Sequence, residues 1–199
     1  MSIIIFCCFI AYLLGTFNPA YGLTRVCKGY DIREMGSGNA GATNASRMLG
    51  KSLGFVVLFL DMGKGMIAAL LPSWWGYGHQ PLLSVLVGSC AVLGHMFPIF
   101  LSFRGGKGIA TILGVAFVTD PLIGLWMSAI GLGIIIITRY VSLGCLVMLL
   151  FFPFLLWVRN YHSWVIIFAS FIVFLSWLRH RRNIANLLHG KERRFLWKS

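Results

Sequence analysis

"IATILGVAFVTDPLIGLWMSAIGLGIIIIT", residues 109–138, reads either as one long apolar helix or as two. The choice decides how the chain is threaded. Asp120-Pro121 interrupts the run. A proline inside a helix costs about 3 kcal/mol or more, and a carboxylate deep in hydrocarbon is costly too. Splitting the run into 109–119 and 122–138 avoids both costs. The first piece is short, since a crossing helix needs roughly 20 apolar residues. It is expected as a half-helix or re-entrant element.

The charges favour the same split. Further apolar runs cover 3–23, 53–72, 82–103, 141–158 and 163–178. Trp74, Trp75, Tyr77, Tyr140, Trp157 and Tyr161 stand near their ends, as interfacial anchors do. With the N-terminus outside, the split places Arg25, Lys28, Arg33, Arg47, Lys51, Arg104, Lys107, Arg139 and the seven basic residues of the tail inside. Only Arg159 falls outside, and Lys64 lies within a run. A single helix would export the tail, against the positive-inside rule. The expectation is an all-α polytopic membrane protein of about seven segments, five full spans plus a shorter or re-entrant pair. It is N-out and C-in, and residues 1–199 form one domain.

Composition agrees. Of 199 residues, 58% are hydrophobic and only 11% charged, against about 25% charged in soluble domains. Mean hydropathy is +0.84. The net charge of +12 suits anionic substrates or headgroups. Nucleic acid is not expected, because no recognised binding motif is present. Cys7, Cys8, Cys27, Cys90 and Cys145 form no C-x-x-C pair and read as small hydrophobes, with no metal site. No basic residue precedes the first run, so a removable signal peptide is not expected.

The unusual residues gather on the inner face. "GSGNAGATNASR", 36–47, fits G-x-G-x-x-G through Gly36, Gly38 and Gly41. A dinucleotide fingerprint needs a preceding strand, and here a membrane helix precedes it. The glycines can still shape amides into an anion nest, with Ser37, Asn39, Thr43, Asn44 and Arg47 supplying further donors. A flexible polar loop is the alternative. "SFRGGKGIAT", 102–111, sets Arg104, Gly105, Gly106, Lys107 and Gly108 before a helix start, where amides favour an anion. Walker A fails, because Gly108 follows Lys107 and Leu101 stands where a glycine is required. A membrane-edge turn with snorkelling cations is the alternative.

In "LRHRRNIANLLHG", 178–190, His180 and Asn183 share a helical face. Arg179, Arg181 and Arg182 also suit a topology anchor. In "LDMGKG", 60–65, Asp61 and Lys64 are intramembrane charges that must pair. His95 lines the site or caps a kink. Taken alone, these residues describe an inner-face site for a phosphorylated ligand near lipid, in an enzyme or a transporter.

In this order, "GSGNAGATNASRMLG", "DMGKG", "GHMFPIFLSFRGGKGIATILG" and "RHRRNIANLLHGKE" resemble the bacterial membrane-integral acyl-phosphate:glycerol-3-phosphate acyltransferases, the PlsY family. The resemblance runs from "AYLLGTFNPAYGL" to the tail. It departs at Arg182, where Glu is usual, and at Thr16 and Lys191. It implies transfer of a fatty acyl group from acyl phosphate to the 1-hydroxyl of glycerol 3-phosphate in the bacterial inner membrane. Lysophosphatidic acid and phosphate are released. No cofactor or metal is implied. A soluble enzyme would supply the acyl phosphate, and the chain is expected to act as a monomer. The rival class is a transporter of an anionic solute.

On this reading Ser37, the backbone at Gly38 and Arg47 bind one phosphate. The Gly105 and Gly106 amides with Lys107 bind the other or polarise the acyl carbonyl. His180 and Asn183 orient glycerol 3-phosphate, and Asp61, Lys64 and His95 support the site. The H-x-x-x-x-D pair of other acyltransferases is absent: His95 leads to Phe100 and His180 to Ala185.

Overall fold

A computed structural model describes residues 2–195. Among them ten α-helices form and no strand. The helices are α1 (Ser2–Thr16), α2 (Pro19–Lys28), α3 (Ala42–Leu49), α4 (Lys51–Pro72), α5 (Pro81–Met96), α6 (Ile109–Thr119), α7 (Pro121–Thr138), α8 (Val141–Val158), α9 (Ser163–Arg179) and α10 (Arg181–Leu188). Five segments are long and apolar enough to cross a membrane: 3–28, 51–77, 81–101, 121–138 and 141–158. Helices α9 and α10 form a pair bent by 62°. The eleven-residue α6 is the short element. Lys198, counted above in the tail, lies outside the described residues.

Two apolar runs divide where the sequence reading ran them on. The run 3–23 breaks at Phe17-Asn18. Asn18 caps α2, accepting from Tyr21 N at 2.9 Å, and its amide donates to Ala40 O at 3.2 Å. Helix α5 stops at Met96, short of residue 103, since the residue before Pro98 is steered away from helical backbone.

The split at Asp120-Pro121 holds. Asp120 caps α7 through Leu122 N, 3.0 Å, and its other oxygen meets Arg159 Nε at 2.5 Å and Tyr161 Oη at 3.0 Å. The carboxylate is therefore paired at one end of the bundle. At 1.5 Å per residue α6 rises about 16 Å, close to half of a hydrocarbon core of about 30 Å.

Glycines let the helices approach closely, as small residues do in membranes. A Cβ on Gly15 of α1 would overlap the Ala91 backbone of α5, and one on Gly65 of α4 would overlap the Thr111 carbonyl of α6. Large apolar side chains such as Phe9, Phe59, Ile137 and Phe174 point outward, each more than half exposed. That surface suits lipid.

Candidate active site

The glycine loop is held from beneath by Asn44, which is fully buried. Its Nδ2 donates to Ile32 O at 3.2 Å and Met35 O at 3.0 Å, and its Oδ1 accepts from Ser37 N at 3.0 Å. Gly36 and Gly38 sit at φ 63° and 70°, where a side chain would be strained. Gly38 N donates to Met35 O and Gly41 N to Asn39 O. This corrects the expected anion nest, because the amides of Ser37, Gly38 and Gly41 are committed to the loop itself. Asn44 braces the loop rather than facing a ligand. Ser37, Gly38 and Asn39 do line the cavity, whereas Gly36, Gly41 and Thr43 are not in its wall.

The second glycine cluster is corrected in the same way. Gly105 N donates to Met96 O at 3.2 Å and Gly106 N to His95 O at 3.1 Å, so neither amide is free for a phosphate. The glycines serve close packing. A Cβ on Gly106 would strike His95 Nε2 and Ala40 O, and one on Gly105 would strike His95 O. Their carbonyls accept from Arg179, Nη2 to Gly105 O at 2.8 Å and Nε to Gly106 O at 3.2 Å. Gly108, at φ 83°, packs against Met96 and Val92.

Lys107 projects out of this turn. Ser176 Oγ anchors its carbonyl at 2.7 Å, and Lys107 Nζ donates to Asn183 Oδ1 at 2.5 Å. Asn183 Nδ2 donates to Glu192 Oε1, as does Ser142 Oγ, each at 2.8 Å. Burial pushes the Lys107 ammonium below its ordinary pKa, and Arg179 and Arg47 add to that while Glu192 opposes it. His180 lies buried at the α9–α10 bend, its Nδ1 2.8 Å from Ser176 O. That carbonyl only accepts, so Nδ1 carries the proton. Burial, then the Lys107 charge, lowers its pKa to about 4. His180 thus stands neutral behind the cavity wall. Arg47 is also absent from the wall. It is exposed on α3, where the charge of Arg193 in the tail acts on it.

A buried trio supports the turn. Lys64 Nζ lies 2.8 Å from Asp61 Oδ1 and 2.9 Å from His95 Nδ1, and it donates to Gly15 O and Phe17 O at 3.1 and 2.7 Å. The trio joins α1, α4 and α5 directly beneath Gly106. It lies outside the cavity wall.

The cavity has a volume of about 930 Å³. Six cations line it (Arg33, Arg104, Lys107, Arg179, Arg181 and Arg182) against two carboxylates, Asp31 and Glu34. Asn183 and Gly105 complete the expected set that the structure brings together. Among the described residues no group of three or more His, Cys, Asp or Glu gathers as a metal site. Sequence reading missed the cavity roles of Arg33, Asp31, Glu34 and Ser102. It left Arg179, Arg181 and Arg182 open between the site and a topology anchor, and all three line the cavity. The Asp-x-Arg spacing at a turn was the available signal for Arg33. Nothing in the sequence pairs Ser142 with Glu192, fifty residues apart.

An excess of fixed cations beside a lipid-facing surface stabilises multiply charged anions. Known proteins agree. The glycerol-3-phosphate acyltransferase family model matches residues 5–190. A glycerol-3-phosphate acyltransferase of Aquifex aeolicus is 43% identical over 185 residues, 93% of this chain and 95% of that one. A crystal structure of PlsY, an integral membrane glycerol 3-phosphate acyltransferase, in its glycerol 3-phosphate form superposes with a TM-score of 0.91 at 41% identity, covering 97% of this chain and 96% of the other. A second, in the lysophosphatidic acid form, gives 0.87 at 38%, covering 97% and 95%. The chain belongs to the glycerol-3-phosphate acyltransferase family.

Proposed function

We propose that the chain transfers a fatty acyl group from acyl phosphate to the 1-hydroxyl of glycerol 3-phosphate. The observation that carries this is the six-cation cavity at one membrane face. Acyl phosphate is a mixed anhydride and already activated. The hydroxyl oxygen bonds to the acyl carbon, the bond from that carbon to the phosphate oxygen breaks, and the hydroxyl proton leaves on the released phosphate. The products are lysophosphatidic acid and inorganic phosphate. The obstacle is the repulsion of two phosphates, which preorganised cations offset while holding the hydroxyl near the carbonyl.

Arg104, Lys107, Arg181 and Arg182, with the Ser37 and Asn39 side chains, hold the phosphates. Asn183 orients Lys107, and neutral His180 supports Lys107 from behind. Arg47 acts from the rim, beside the tail. The chain lies N-out and C-in as a monomer in the bacterial inner membrane, its cavity facing the cytoplasm. A soluble enzyme supplies the acyl phosphate there. The transporter reading loses ground because relatives along nearly the whole chain carry the acyltransferase name.

The test is turnover of purified protein in detergent or mesophase with palmitoyl phosphate and glycerol 3-phosphate. Phosphate release that needs both substrates, and that fails with acyl-CoA as donor, is the expected result. Folded protein inert toward every donor would overturn the reading.

A further inference from the structure

Arg33 and Asp31 line the cavity yet have no part in the chemistry above. Asp31 Oδ1 accepts from Arg33 N at 2.9 Å. The guanidinium then folds back onto the same carboxylate, with Nε 3.0 and 3.1 Å from Oδ1 and Oδ2 and Nη2 2.6 Å from Oδ2. The remaining terminal nitrogen, Nη1, crosses to the next wall and donates to Leu101 O at 2.6 Å. The same carbonyl accepts from Arg104 N at 3.1 Å.

Leu101 precedes an unusual turn. Ser102 and Phe103 are consecutive non-glycine residues at φ 53° and 59°, a region that side chains disfavour. Phe100 and Phe103 are 75% and 55% exposed, and Leu101, at 9%, is the buried apolar side chain of this stretch. The turn's own bonds are local: Phe103 N to Pro98 O and Arg104 N to Leu101 O. Arg33 ties it to a segment 68 residues away.

We propose that Arg33, oriented by Asp31, is a positioning residue that clamps the 101–104 turn to the glycine loop. The clamp fixes Arg104 and Lys107, on one wall, relative to Ser37 and Asn39 on the other. Its kinetic consequence rests on the acyl-transfer reading; its structural consequence does not. A phosphate ligand needs a free, unneutralised fork. Arg33 instead spends Nε and Nη2 on Asp31 and points Nη1 at a carbonyl. Misplacing reacting groups by about 1 Å costs on the order of 100-fold in rate.

The variants are Arg33→Lys, Arg33→Ala and Asp31→Asn. Lysine keeps the charge and loses the fork. All three are expected to lower kcat by about 10- to 100-fold, with KM for glycerol 3-phosphate shifted by less than about threefold. Wild-type kcat in Arg33→Lys would overturn the clamp. So would a raised KM at unchanged kcat in Arg33→Ala alone, which would make Arg33 a charge ligand.

A second readout needs no turnover. Spin labels at Met35 and Phe100, in a background stripped of native cysteines, report the spacing of the two segments. A narrow distance distribution is expected in the parent and a broad one in Arg33→Lys and Asp31→Asn. An equally narrow distribution in both variants would sink the clamp. A parent inert toward palmitoyl phosphate would count against the proposed reaction, and the distances would still decide the clamp. If Arg33→Ala does not fold, the two milder substitutions carry the test.

Discussion

Lys107 and His180 show how much a residue type settles and how much its surroundings add. A lysine in a glycine-rich turn at a membrane edge already suggests anion binding. The structure adds the Asn183 carboxamide that aims it. Lys107→Ala is expected to insert normally and to lose roughly 100-fold or more in kcat, as when one preorganised donor is removed. Full turnover in that variant would remove Lys107 from the chemistry.

His180 was legible as a residue near the site but not as a neutral one. Folding holds it neutral down to about pH 4, whereas an unfolded histidine protonates near pH 6.5. Between these values the unfolded chain binds more protons. The stabilisation linked to His180 is therefore complete above pH 6.5 and is lost as pH falls toward 4. As pH is lowered from 7 to 4, thermal midpoints should fall more steeply in the wild type than in His180→Gln. Identical slopes would contradict a buried neutral imidazole.

At the scale of elements, the two glycine motifs were found by spacing and read as anion nests, whereas several of their amides are spent inside the protein. Glycine spacing reports where a backbone turns or packs closely, and it does not say where the amides point. Here they point inward, to Asn44, Met35, His95 and Met96. Asn44→Ala strands several of these groups, each costing about 1–3 kcal/mol. It should lower the melting temperature and the activity together, and a stable, active variant would show that the brace is dispensable. Gly106→Ala separates packing from anion binding, because alanine keeps the N–H. The Cβ strikes His95 and Ala40, so destabilisation is expected. Gly133→Ala, with open space around it, should melt like the wild type. Equal melting of the two variants would refute the packing account.

At the scale of the whole molecule, Arg139, the tail and both glycine motifs meet at one end. Phe195 N donates to Arg139 O at 2.7 Å. Asp120, Arg159 and Tyr161 meet at the other end. If the cavity faces the cytoplasm, an impermeant maleimide should label His79→Cys in intact cells. It should reach exposed Cys27 only after permeabilisation. The reverse pattern would invert the orientation. The Asp61–Lys64–His95 trio joins three helices, so Asp61→Ala leaves a buried cation facing a lost partner. About 3–5 kcal/mol of stability should be lost, visible as a lower melting temperature in detergent, and an unchanged midpoint would show that the trio holds nothing together.

The sequence by itself determined the membrane class, the break at Asp120-Pro121 and the shortness of α6. These follow from hydropathy, helix-breaking residues and charge, which act locally along the chain. Only the tertiary structure decided which amides are spent, which cations line the cavity and which pairs reach across it. Arg33 with Leu101, Lys107 with Asn183 and Ser142 with Glu192 are separated by 68, 76 and 50 residues. Contacts of that kind exist only once helices pack, because packing alone sets the distance and direction of each donor.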